Sequence, residues 1–411
     1  MRILHIHTSD YTGGGGGAIA MYRLHLGLKK AGFNSKILCA TKTLESSDSI
    51  AIPHLSRSEL LLRKVTSRLG LNGIHCISSF KIKETKAYLD ADVLNLHSFR
   101  ARFSYLALPA LTENKPAVFT LHDIWPFTGH CAVSYDCDRW KTGCGRCPYP
   151  REYPKTYLDS SAWMWPKKRK LLGEVWKPVI VTPSRWLANL VAEACDGRCR
   201  VEVIPNGIDT TVFRPVDRLQ ARKELGLPED RKIVLFAAAK PSEKRKGIMY
   251  FFEALKYVQA DKWMALAVGG AVDFSKWVPQ GVEVRQLGYV KKAEDMAKVY
   301  SAADLYCITS LADNFPTTVL ESMACGTPVV GFAVGGIPEQ VTEECGQLVS
   351  LGDAKALGQS ITNLLNDNTK RKTMGELCRK RVEQEYNLQL FIERHLALYR
   401  ELVGKGQNAA P

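Results

Sequence analysis

Ile3-Leu4-His5-Ile6-His7 is a short, largely apolar run, followed by the loop Thr12-Gly13-Gly14-Gly15-Gly16-Gly17-Ala18 and then by Met21, Leu24 and Leu28 at helical spacing. Strand, glycine turn and helix in that order make the repeating unit of a parallel α/β sheet. The strand-like runs recur at Lys36 to Cys39, Val93 to His97, Ala117 to His122, Val179 to Thr182 and Val201 to Ile204, with longer helical patterns between them. After Asn206 the series restarts: Ile233 to Ala238, Trp263 to Val268, Val282 to Leu287, Leu305 to Thr309, Val329 to Phe332 and Gln347 to Val349. Runs that are apolar throughout, without strict alternation, suit strands whose sheet is covered by helices on both faces. Each half therefore reads as a doubly wound, Rossmann-like sheet. The joint is expected near Ile204-Pro205-Asn206-Gly207-Ile208-Asp209, where proline and Asn-Gly punctuate a strand end. The expected division is 1–204, 205–385 and a tail 386–411. In that tail Leu388, Phe391, His395, Leu398, Tyr399 and Leu402 form one amphipathic helix from Tyr386 to Val403, with a frayed end beyond Gly404.

Composition agrees. At roughly 100–200 residues per domain, a chain of 411 residues has two or three domains, which excludes a disulfide-stapled miniprotein. With 45% hydrophobic and 24% charged residues it is neither disordered nor collagen-like. No segment approaches eighteen uninterrupted apolar residues, and Met1-Arg2 leads straight into the first strand, so a cytoplasmic protein with its twelve cysteines reduced is expected. The charge is lopsided: residues 1–200 hold 29 Lys+Arg against 16 Asp+Glu, whereas residues 201–411 hold 27 against 26. A basic half attracts anionic lipid, phosphorylated substrates or nucleic acid, and charge alone does not choose among them.

The five-glycine loop brings backbone amides and a helix N-terminus to a position where a phosphate could approach, with Gly16 and Gly17 nearest the helix. It is not a dinucleotide fingerprint, because no Asp or Glu lies between Asp10 and Glu45 to hold a ribose, and no Gly-Lys-Ser/Thr comes after it to make a P-loop. The most specific stretch is Asp313-Asn314-Phe315-Pro316-Thr317-Thr318-Val319-Leu320-Glu321, running on through Gly326-Thr327-Pro328 to Gly335-Gly336-Ile337-Pro338-Glu339. Pro316 suits a first helical turn and Gly326 the position after the last. Amides of Asn314 to Thr318 at that helix start would face an anionic ligand, framed by two carboxylates that accept hydrogen bonds from sugar or ribose hydroxyls.

At these residues the chain resembles the retaining glycosyltransferases of family 4, which have the two-domain GT-B fold. That family carries two glutamates separated by seven residues, the first on the donor sugar and the second on the nucleotide's ribose. Asp313 stands in the first position, one methylene shorter, and Glu321 in the second. The resemblance also implies that Arg245 and Lys246, in Lys244-Arg245-Lys246-Gly247, neutralise the donor diphosphate. It further implies that His122, in Phe119-Thr120-Leu121-His122-Asp123-Ile124-Trp125-Pro126, contacts the donor sugar across the interdomain cleft. Thr182-Pro183-Ser184-Arg185-Trp186 and Leu287-Gly288-Tyr289 extend the likeness over nearly the whole chain. The implied layout is a donor lobe at the C-terminal side, an acceptor lobe at the N-terminal side and a final helix returning to the first lobe. The reaction expected is transfer from a UDP- or GDP-sugar to a saccharide, lipid-linked in envelope or exopolysaccharide synthesis, by front-face attack and without a catalytic metal. An isomerase of the same architecture, epimerising a nucleotide-sugar, is the alternative. A zinc-containing nucleic-acid-binding protein would leave the Asp313–Glu339 stretch unexplained, so no nucleic-acid partner is expected. His97, ending its strand, reads as structural.

Two further features stand apart. Cys131, Cys137, Cys144 and Cys147, in an insertion spanning 129–150, have spacing that could close on a structural zinc, with isolated thiols as the other reading; a cysteine-bearing insertion also occurs in a group of family 4 enzymes. The stretches Leu55 to Leu69 and Trp163 to Leu172, with Trp176 beyond, combine basic residues with leucine or tryptophan. They fit peripheral contact with an anionic membrane at its inner face, or ordinary helices facing the core.

Overall fold

The structure, a computed structural model, describes residues 1–11, 15–52, 56–97, 99 and 102–408. It divides into two compact units, Met1–Gly207 with Gln389–Pro411, and Ile208–Leu388. Both joints lie slightly beyond the expected positions for a local reason. Ile208 N–H donates to Tyr386 O, and Leu388 N–H donates to Ile208 O, so these two segments pair with each other inside the second unit.

In the first unit the strands are β1 (Arg2–Ser9), β2 (Asn34–Thr41), β3 (Ser49–Ala51), β4 (Val93–His97), β5 (Ala117–Thr120), β6 (Val179–Thr182) and β7 (Arg200–Val203). They form one sheet in the order β3-β2-β1-β4-β5-β6-β7, every pairing parallel. The edge strand β3 was not expected; its three residues offer too little apolar pattern. The sheet's two faces differ. Because side chains alternate along a strand, Leu4, Ile6, Leu94, Leu96 and Phe119 fall on one side and enter a large apolar core. His5, His7, Asn95, His97 and Thr120 fall on the other side, and all are buried.

The helix Gly15–Lys30 and the C-terminal helix Leu388–Asn408 cover that polar face. Asn95 Nδ2 donates to Tyr399 Oη at 2.6 Å, and Thr120 Oγ1 donates to Asn95 Oδ1 at 2.7 Å, so a strand asparagine ties the last helix to the sheet. Arg200 adds a two-pronged ion pair with Glu401. The helix begins after Tyr386, which belongs to the second unit, and it runs on past Gly404 to Asn408 rather than fraying there.

The second unit holds β8 (Lys232–Ala238), β9 (Trp263–Gly269), β10 (Val284–Gly288), β11 (Leu305–Ile308), β12 (Val329–Phe332) and β13 (Gly346–Val349), in the parallel order β10-β9-β8-β11-β12-β13. Here both faces are apolar. Ile233, Leu235, Leu266, Tyr306 and Val329 enter one core, and Val234, Phe236, Ala265, Cys307 and Val330 the other. That explains the unbroken apolar runs of the sequence. At the strands' amino ends Asp304 accepts from Ile233 N–H at 2.8 Å and pairs with Arg222 and Arg218, which fixes β8 beside β11. In both sheets the chain reverses direction of assembly beside a central strand, between β1 and β4 and between β8 and β11. Loops beyond the carboxyl ends at such points diverge and leave a crevice for ligands. Among the described residues no helix is long and apolar enough to cross a membrane.

Candidate active site

In the second unit the residues singled out by the sequence gather beyond the carboxyl ends of β8 and β11. The loop after β8 ends in a short turn, Lys244–Lys246, and the loop after β11 leads to the helix Thr317–Ala324. Lys246 Nζ stands 2.7 Å from Asp313 Oδ2, Arg245 reaches the same oxygen at 3.6 Å, and Ser310 Oγ donates to it at 3.4 Å. Backbone bonds fasten the two loops as well: Leu311 N–H donates to Arg245 O, and Thr309 Oγ1 donates to Lys246 O. Burial pushes the Asp313 carboxyl up, but the charges of Lys246 and Arg245 and the hydrogen bonds from Lys246 and the Asn314 N–H outweigh it and hold the group below its ordinary range. Arg245 also donates to Glu243 at 2.9 Å. The carboxylate and the two cations, read separately in the sequence, are one ionic cluster.

Gly335, from the loop after β12, closes on this cluster. Its φ is +59°, and a Cβ there would lie 1.8 Å from Asp313 O, so only glycine lets the backbones meet. The helix that begins at Thr317 has Pro316 as its cap and ends before Gly326, whose φ of +73° suits a residue past a helix end. Two details differ from expectation. Pro316 has no N–H to offer a ligand, and the Asn314 N–H bonds to Asp313. Phe315 is buried in the core, its ring 5.7 Å from that of Tyr386. Thr317 and Thr318 are half-buried, with Thr318 Oγ1 accepting from Tyr306 Oη at 2.9 Å. Glu321, in the second turn, is buried and accepts from Tyr300 Oη at 3.3 Å. Tyr300 and Tyr306 were not anticipated; hydroxyls beneath a helix start leave no spacing signal.

In the first unit the loop residues Thr12, Gly13 and Gly14 lie outside the described residues. Gly16 is exposed with open space around it, whereas Gly17 packs on His122: a Cβ at Gly17 would meet the imidazole Cγ at 2.8 Å. His122 sits two residues past the end of β5 rather than on the strand. His97, at the end of β4, points Nδ1 at His122 Nε2 across 3.1 Å. The sequence missed this contact, although His5-x-His7 and His97 at strand positions were its visible trace.

The cysteine insertion behaves differently. Cys131, Cys137, Cys144 and Cys147 are free and half-buried, and close enough for their charges to act on one another. Yet among the described residues no three His, Cys, Asp or Glu side chains gather as ligands of one ion. The insertion has its own supports: Trp140 is buried against Phe127, Trp165 Nε1 donates to Trp140 O, and Arg139 donates to Gly145 O.

The basic stretches are split by the structure. Leu55 lies outside the described residues. The helix Arg57–Arg68 turns Leu60, Leu61, Leu62 and Val65 to solvent, while its buried residue is Glu59, which accepts from Ser78. In the helix Ser161–Leu171, Trp163, Lys167 and Lys170 face out, but Lys168 turns inward, donates to Trp125 O and stands 3.4 Å over the Trp125 ring. Trp176 is also buried, donating to Thr112 Oγ1. The segment just before the second helix meets the first stretch: Leu158 N–H donates to Arg68 O, and Ser160 Oγ donates to Leu69 O.

Two parallel doubly wound sheets, each with its candidate residues at its own reversal point, define a GT-B glycosyltransferase architecture. Family models agree: Glycosyltransferase Family 4 matches residues 14–212, and Glycosyl transferases group 1 matches residues 231–367. Between them the two glycosyltransferase models span most of both units. It is 27% identical over 237 residues to the N-acetyl-alpha-D-glucosaminyl L-malate synthase of Bacillus anthracis, a match spanning 56% of this chain and 61% of that one. It is 26% identical over 293 residues to the putative colanic acid biosynthesis glycosyl transferase WcaC of Escherichia coli K12, spanning 69% and 68%. Among solved structures, sucrose-phosphate synthase from Thermosynechococcus elongatus shares the fold at a TM-score of 0.74 and 21% identity, covering 98% of this chain and all of that one. Anabaena Alr3699/HepE, in complex with UDP and glucose, does so at 0.69 and 16%, again covering 98% and 100%.

Proposed function

We propose that the protein is a retaining glycosyltransferase that takes its sugar from a nucleoside diphosphate donor held by the second unit. The observation that carries this reading is the joining of Lys246, Arg245 and Asp313 directly before the helix Thr317–Ala324. A departing diphosphate develops negative charge, and two fixed cations beside a helix N-terminus offset it without reorganisation. Lys246 and Arg245 then carry out the role that a divalent metal has in other transferases, and Asp313 and Glu321 accept from donor hydroxyls. His122 acts near the reacting sugar, and attack on the same face as departure retains the anomeric configuration. Both UDP- and GDP-sugars fit the residues; the UDP bound by Alr3699/HepE supports the former. Uridine diphosphate at a hundred times its Kd should stabilise the chain by about 2.7 kcal/mol in a thermal shift. Glu321→Ala should weaken that binding at least about tenfold, and His122→Ala should leave binding intact while slowing transfer about 10²-fold. Native turnover in both variants contradicts the assignment, and an epimer formed without acceptor points to an isomerase instead.

The acceptor is proposed to be a lipid-linked saccharide of polysaccharide assembly, met at the cytoplasmic face of an anionic membrane; the name of the colanic acid relative supports that class. Leu61, Leu62 and Val65 are exposed on one helix with Arg57, Lys64 and Arg68, Leu158 is exposed and bonded through its N–H to Arg68, and Trp163 is exposed under Lys167, so these apolar side chains lie among cations. Such a surface suits an interface where each lysine or arginine contributes about 1 kcal/mol near anionic lipid. Vesicles of phosphatidylglycerol should co-float with the protein at low salt and release it at high salt, and Leu61→Glu with Lys64→Glu should abolish co-flotation. Equal flotation by the double variant refutes this surface.

Zinc in the cysteine insertion is a separate proposal, supported by the thiol chemistry of four neighbouring cysteines, which the ion would draw together. Metal emission spectrometry should find one equivalent per chain, lost in Cys144→Ser; folded protein free of zinc refutes it.

A further inference from the structure

Two imidazoles stand in file behind the candidate catalytic histidine. His122 Nε2 lies 3.1 Å from His97 Nδ1 with ring planes 11° apart, and His97 Nε2 lies 3.4 Å from His5 Nδ1. Each nitrogen-to-nitrogen contact has room for one hydrogen, so the position of the proton on any ring dictates the position on the next. The far end of the file sets the direction. His5 Nε2 is buried without a partner among the described residues. A buried N–H without an acceptor is rarer and costlier than a bare acceptor nitrogen. His5 therefore carries its hydrogen on Nδ1 and donates to His97 Nε2; His97 then donates from Nδ1 to His122 Nε2.

We infer that His97 is a positioning residue that fixes His122 in the Nδ1–H form, with the Nε2 lone pair of His122 taken up by His97. A protein that wants a general base at this point would need the opposite order. The inferred form instead suits hydrogen bonding to a sugar hydroxyl or a departing phosphate oxygen, which gains strength as charge develops. Gly17 locks the ring from the other side, its Cα carrying no side chain to push His122 out of line.

The groups facing this file are imidazoles from every covering element: His7 on β1, with its ring 6.1 Å from His97 and 6.4 Å from His122, His25 on the helix Gly15–Lys30, with its ring 6.3 Å from His5, and His395 on the C-terminal helix. Burial pushes His5 and His97 well below the usual imidazole range and His25 and His395 down to about 4. Around neutral pH these four rings are uncharged, and no fixed cation among them reverses the file.

The catalytic consequence rests on the glycosyltransferase reading, but the tautomer does not, so the test separates the two. In the full chain labelled with ¹⁵N-histidine, NMR at neutral pH should show His122 protonated on Nδ1, with no substrate needed. His97→Leu should move that proton to Nε2, lower kcat about tenfold to a hundredfold and change the donor KM less than about threefold. His97→Gln, whose amide still donates to His122 Nε2, should restore the Nδ1–H form. His122 protonated on Nε2 in the native chain, or unmoved in His97→Leu, overturns the inference. An Nδ1–H tautomer in a chain that transfers no sugar refutes the proposed function alone.

Discussion

The second unit turns on one carboxylate. Asp313 is drawn out of water beneath Gly335 and held there by Lys246 and Arg245, so the loops after β8, β11 and β12 are fastened at one point. A part-buried ion pair of this kind adds little net stability compared with an apolar contact of the same shape, but removing one partner strands the other at a cost of about 3–5 kcal/mol when fully buried. Its value lies in placement. Two cations that would otherwise range over the surface on flexible stems are pinned beside a helix start, where, on the proposed reading, an arriving diphosphate would compete with Asp313 for them.

The first unit solves a different problem. Its sheet is apolar on one face and carries His5, His7, Asn95, His97 and Thr120 on the other, all sealed under two helices. Buried polar groups rarely go without partners, and here His5, Asn95, His97 and Thr120 contact one another or Tyr399 of the last helix through at least one side-chain atom, while His7 Nδ1 pairs with Ser9. The Thr120–Asn95–Tyr399 bonds seat that helix, and the imidazoles leading to His122 form a second set of contacts on the same face of the sheet.

Most strands were legible because parallel strands buried on both sides leave continuous apolar runs; β4, β6 and β12 begin and end where the pattern does. The short edge strand β3 left no such mark. The site was legible as motifs and illegible as geometry: Lys246 and Asp313 are 67 residues apart, and only the folded sheet shows that they touch. Lys168 read as one of four basic neighbours in Lys167–Lys170, yet the Trp125 ring and carbonyl draw it inside. Conversely, the leucines of the helix Arg57–Arg68 carry a pattern that would suit a core and instead face outward, because the residue this helix buries is Glu59. In each case a partner distant in sequence decided the outcome.

The account stands on the cations at Asp313 being the diphosphate's anchor. Calorimetric titration of uridine diphosphate into the native chain, Lys246→Ala and Asp313→Asn measures this directly. Loss of Lys246 should weaken binding by about 2–4 kcal/mol, as expected for a charge-assisted contact left unmade, whereas Asp313→Asn should bind at least as tightly as native because its cations are released to the ligand. Native affinity in Lys246→Ala, or parallel loss in both variants, would contradict it.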